Sequence, residues 1–162
     1  MDEMKRIRLD RMRYTKNNLA SNLALLAIVF NVLYFVSVYE SDVGSWYYSL
    51  LIGASIVYNL LFMLMAFLAS EGVKNYKRGY AYLLLVIGVG QIARIFILPL
   101  RAYTATVTIS KVTYQVMQTQ QFVTVILWLC LSAACCIGAG AVGVRRSRML
   151  AAYNPSLEEK RA

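Results

Sequence analysis

The chain has 162 residues, of which 59% are hydrophobic and only 15% charged, with no histidine and a formal net charge of +9. A soluble domain is usually about 45–50% apolar and about 25% charged, so this composition excludes an ordinary water-facing globule and leaves no room for a separate soluble domain. At about 20 residues per crossing, the length suits four membrane spans with short connections.

Residues 1–18 are polar and basic, with Lys5, Arg6, Arg8, Arg11, Arg13 and Lys16 against Asp2, Glu3 and Asp10. Leu19 to Tyr39 follows as 21 residues without a charge. A signal peptide also has a positive leader, but its apolar core is about 7–15 residues. This run is long enough to cross, and it reads as a retained first span.

Glu40 to Ser45 forms a short acidic turn, and Trp46 to Ser70 the second span, opening on Trp46, Tyr47 and Tyr48. Half-polar aromatic rings favour the headgroup boundary, so this cluster marks a membrane surface. Glu71 to Gly79 reads as a basic loop carrying Lys74, Lys77 and Arg78. Tyr80 to Leu100 is the third span, and Pro99 near its end stops or bends it, since proline lacks a donor and restricts the residue before it.

Residues 101–121 form an outer connection in which the alternation from Thr104 to Ile109 suits a hairpin strand; a helical extension of either neighbouring span fits as well. Phe122 to Val144 is the fourth span, stopped by Arg145, Arg146 and Arg148. In the tail, residues 145–162, Ser156 and Glu159 have the spacing of a capping box, though any helix there would be marginal at that length. The expected fold is an all-α membrane protein, a single domain built as a four-transmembrane-helix up-down bundle with spans at 19–39, 46–70, 80–100 and 122–144.

Fourteen of the 17 Lys and Arg residues fall in the N-terminus, the second loop and the tail. The outer connections hold Arg101 and Lys111, and Arg94 lies within the third span. Basic residues in short loops stay on the cytoplasmic side, which orients the chain with both termini inside. The compact loops and the lack of a targeting segment suggest a bacterial cytoplasmic membrane. The basic charge belongs to topology, so no nucleic-acid partner is expected.

Catalytic chemistry is not expected either. Without histidine the commonest general base and metal ligand is missing. No span holds a carboxylate, and no nucleophile has a visible base. Cys130, Cys135 and Cys136 lack metal-ligand spacing and read as small reduced thiols. Neither a metal nor a cofactor is expected.

Two groups of residues carry the information that remains. In the fourth span Ser132, Cys136 and Gly140 recur every four residues, as do Ala139 and Gly143. Small side chains on one face let another helix approach closely, whether within the chain or in another subunit. The second group is polar: Asn31, Ser55, Asn59, Gln91 and Arg94. An arginine in hydrocarbon costs about 2.5–3.5 kcal/mol on insertion scales and cannot shed its charge. Its helical spacing puts Arg94 on one face with Gln91 and Arg101. The expected arrangement is an outer-side cluster of Arg94 and Arg101 with Glu40 and Asp42, over Gln91 and Asn31. Such a cluster serves either as a clamp or as an anion or headgroup contact.

Small size, minimal loops and missing active-site chemistry favour a non-catalytic accessory or scaffold subunit of a membrane complex, with a membrane-protein partner or a second copy of itself beside the lipid. The alternative is a small oligomeric transporter or channel for an anionic or polar solute, with a path centred on Arg94. Proton-coupled export is disfavoured, because the first span lacks the acidic residue that small multidrug exporters use.

Overall fold

The computed structural model describes residues 3–39, 46–109 and 112–158. Its elements, in order, are α1 (Glu3–Tyr14), α2 (Asn18–Tyr39), α3 (Trp46–Lys74), α4 (Arg78–Ile97), α5 (Pro99–Thr104), β1 (Thr106–Ile109), β2 (Val112–Gln115) and α6 (Thr119–Glu158). Helix dominates, and four helices are long and apolar enough to cross a membrane.

These four helices form a ring in which α2 packs on α3 and α6, and α4 packs on α3 and α6. Contacts within each pair run in opposite chain directions. Asn17 meets Lys74 and Ser21 meets Ser70 between α2 and α3, whereas Ala27 meets Ser132 and Asn17 meets Arg146 between α2 and α6.

The core is built from small side chains. Ala20, Ala24 and Ala27 of α2 are fully buried against Phe62, Ala66 and Ala69 of α3, so the helices approach closely and gain dispersion contact. A second cluster at the other end holds Tyr34, Val38, Leu98, Val125 and Leu129. The outward faces are apolar too: Leu25, Val29 and Val36 on α2 and Leu60, Leu64 and Phe67 on α3 are exposed.

Several element boundaries differ from the sequence reading. The second span, α3, runs to Lys74 rather than Ser70, which shrinks the basic loop to residues 75–77. Its end is a Schellman motif: Lys77 N–H bonds the Gly72 carbonyl at 3.1 Å and Tyr76 N–H bonds the Val73 carbonyl at 3.0 Å. Tyr76, at φ 58°, occupies the left-handed position usually held by glycine. Inside the last turn Lys74 pairs with Glu71 at 3.1 Å, which carries the helix past the first charges.

The helix of the third span, α4, stops at Ile97, with Leu98 as C-cap, and α5 begins on Pro99. Beyond it both expectations for the outer connection hold in part. A further short helix, α5, carries helical structure to Thr104, and then β1 and β2 pair antiparallel from Thr106–Gln115 to Ile109–Val112. Tyr103 stacks on Phe122 at 4.3 Å and ties the connection to α6.

The largest difference lies at the C-terminus. α6 continues through Arg145 and Pro155 to Glu158, so the backbone at Ser156 is helical, while Glu159 lies outside the described residues. At 1.5 Å per residue its 40 residues span about 60 Å, twice a hydrocarbon core of about 30 Å. The far end meets α1, where the Tyr153 hydroxyl donates to Asp10 Oδ1 at 2.9 Å.

Candidate functional site

The buried face of α4 reads Leu84, Ile87, Gln91 and Arg94 at three- and four-residue spacing, and the buried C-cap Leu98 continues it. That spacing turns Gln91 and Arg94 toward the ring's centre. Asn31 stands on the inward stripe of α2 between Ala27 and Tyr34, and Asn59 on that of α3 below Phe62. Each helix therefore delivers its polar residue inward for the same reason: the opposite face is mostly Leu, Val, Ile and Phe.

Arg94 is only 5% exposed. Its Nη1 donates to Asn59 Oδ1 at 2.7 Å and, more loosely, to Asn31 Oδ1 at 3.4 Å. Nη2 donates to the Ser55 carbonyl at 3.3 Å and to the Ser55 hydroxyl. Gln91 Nε2 donates to Asn31 Oδ1 at 3.0 Å. The guanidinium carbon lies 4.3 Å from the Tyr34 ring centroid and 4.8 Å from that of Tyr58. Aromatic faces attract a desolvated cation, so the charge is held by two rings and three neutral polar side chains.

The five polar residues expected to matter within the spans thus come together. Tyr34 and Tyr58 were not anticipated; each stands three residues after a polar member, Asn31 and Ser55, a spacing that places it on the same helical face. Arg101 does not join the buried group. The Pro99 break shifts the helical face, Ala102 takes the inward position and Arg101 is exposed. Glu40 and Asp42 lie outside the described residues.

The small-residue face of α6 is spent inside the fold. A methyl at Gly140 would lie 2.7 Å from Leu85 Cγ and 2.9 Å from the Ala81 carbonyl, and one at Gly143 would lie 2.9 Å from Ala81 Cβ. Cys136 and Ala139 are fully buried, and Ser132 donates to the Ala27 carbonyl at 2.9 Å. The partners of this face are α4 and α2 of the same chain, with Val73 of α3 also near Gly143.

The cage around Arg94 is incompletely satisfied. Asn31 Nδ2, Asn59 Nδ2 and Gln91 Oε1 are buried without a partner among the described residues. An unpartnered buried donor costs about 1–3 kcal/mol. No family model matches the chain, and no curated protein or solved structure is significantly similar to it. The site's chemistry must carry the reading alone.

The described residues set a permanent cation beside two amide groups whose N–H donors have no partner among them, an arrangement that suits a small anion. Among the described residues no three His, Cys, Asp or Glu side chains converge.

Proposed function

We propose that this chain is a non-enzymatic integral membrane protein, an up-down bundle of four spans with both termini in the cytoplasm, which takes up a small anion at Arg94. A bacterial cytoplasmic membrane suits its short connections. The observation that carries the anion site is the pairing of a buried guanidinium, bonded among the described residues to neutral groups, with the amide donors of Asn31 and Asn59, which find no partner among those residues. Supporting the membrane reading is the exposed apolar girdle of the four long helices, a surface too extensive for a monomer in water. Fourteen inner-side cations support the orientation.

An anion seated there would accept from Asn31 and Asn59 and neutralise Arg94, giving those amides the partners that the described residues do not supply. Transport follows if the site exchanges with both membrane faces. The deciding variant is Asn59→Asp, which places a carboxylate against Arg94 and mimics a bound anion. In detergent, chloride, nitrate or acetate at constant ionic strength should raise the unfolding temperature of the wild type and leave Asn59→Asp unmoved. A ligand at 100 times its Kd stabilises by about 2.7 kcal/mol. If none of the three shifts the wild type and none enters proteoliposomes, the anion reading falls and Arg94 is a clamp. A C-terminal reporter active only outside the cytoplasm would overturn the orientation.

An accessory or scaffold subunit is the second reading. The α6 small-residue face no longer argues for it, but α3 keeps Leu60, Leu61, Leu64, Phe67 and Leu68 exposed. In that reading a second membrane chain, or a second copy, covers this face instead of lipid. Gentle-detergent purification followed by mass spectrometry decides it, since a protein that runs alone as a monomer removes the support.

A further inference from the structure

A second concentration of charge lies at the opposite end of the helices from the hairpin. There α1, the start of α2, the turn after α3 and the extension of α6 enclose a cavity of about 550 Å³, within the ordinary range for ligand pockets of about 300–1,000 Å³. Among the described residues five cations line it, Arg8, Arg11, Lys16, Arg145 and Arg146, and no carboxylate does. The nearby acids are engaged elsewhere, Asp10 by Tyr153 and Glu71 by Lys74.

Such a volume is about 10 Å across if spherical, close to the screening length of about 8–10 Å at 0.1–0.15 M salt. The five charges therefore repel one another, and the fold holds them together all the same. Arg146 is fixed in place, its Nη1 donating to the buried Asn17 Oδ1 at 2.8 Å. The remaining walls include Met12, Leu19, Val142 and Met149. Leu19 opens the first apolar run and Val142 nears the close of the last, so the cavity straddles the border between apolar helix and basic end.

We propose that this cavity binds the phosphate headgroup of an anionic phospholipid from the inner leaflet, with the five cations on the phosphate and the apolar wall against the first acyl carbons. Charge complementarity selects an anion, and the adjoining apolar wall selects an amphiphile over a free phosphate. The site needs the bilayer orientation proposed above and is independent of Arg94.

The test uses the full chain in nanodiscs of phosphatidylcholine, with phosphatidylglycerol or cardiolipin added, and counts bound lipids by native mass spectrometry. Each cation near anionic lipid contributes about 1 kcal/mol, about fivefold in affinity. Retention of the anionic lipid should fall about fivefold in Arg8→Gln or Arg11→Gln and further in Arg145→Gln. Arg78→Gln, an exposed basic position that does not line the cavity, should leave it unchanged. The exposed α1 positions guard against loss of fold, because neither packs into the bundle. Equal losses in Arg78→Gln and the cavity variants, or no loss in any, overturn the proposal in favour of general surface charge. Glycerol phosphate displacing the lipid at millimolar concentration overturns the lipid in favour of a soluble phosphate ligand. A chain that fails to enter nanodiscs overturns both this site and the membrane reading, whereas one that enters without lipid preference overturns this site alone.

Discussion

Arg94 of α4 and Asn59 of α3 meet Nη1 to Oδ1 at 2.7 Å, inside a ring of helices whose outer faces are hydrocarbon. The same guanidinium reaches Ser55 and Asn31, so one side chain ties α4 to both α3 and α2.

Removing the neutral partner should therefore be costly. Asn59→Leu leaves a buried cation with a lost charge-assisted bond, which is worth about 1.5–3 kcal/mol. Thermal unfolding in detergent should show a loss of that size. Arg94→Lys should also lose stability, because an ammonium cannot serve the spread acceptors of Asn59, Ser55 and Asn31 together.

Ser132 provides the contrast. Its hydroxyl bonds the Ala27 carbonyl at 2.9 Å, a neutral interhelical bond of the kind that averages about 0.6 kcal/mol in membranes. Ser132→Ala should cost about that much, well below Asn59→Leu. The same unfolding assay ranks the two, and an inverted order would mean that the α2–α6 seam outweighs the Arg94 cage.

Glycine substitutions separate close approach from helix propensity. An added methyl at Gly140 meets Leu85 and the Ala81 carbonyl at under 3 Å, while one at Gly53 meets nothing within 4 Å. Gly140→Ala should lose about 1–3 kcal/mol through overpacking. Gly53→Ala, in a helix with free space, should gain about 0.5–1 kcal/mol.

The turn between α3 and α4 stores a correctable strain. Tyr76 holds φ 58° where its Cβ is unfavourable, a cost of about 1–2 kcal/mol for an L-residue. Tyr76→Gly should raise the unfolding temperature, less whatever contact the half-buried ring makes. A fall would show that the ring's packing outweighs the backbone strain.

The four apolar runs and the sidedness of the basic residues are legible in the sequence because hydrocarbon imposes its cost one residue at a time. Each charge or amide is penalised wherever its helix turns, so runs without them stand out. The inward direction of Asn31, Ser55, Asn59, Gln91 and Arg94 follows from the same cost. Their partners do not, because pairing depends on the rotation and height of each helix relative to its neighbours. Only the tertiary structure made Arg94 a cation among neutral amides and two tyrosine rings, turned Arg101 aside after Pro99, and spent the α6 glycines on Leu85 and Ala81. It alone also carried α6 beyond its apolar run, folding α1 back onto that extension through Asp10 and Tyr153. Local patterning states what a residue must avoid, whereas packing in three dimensions decides what it meets.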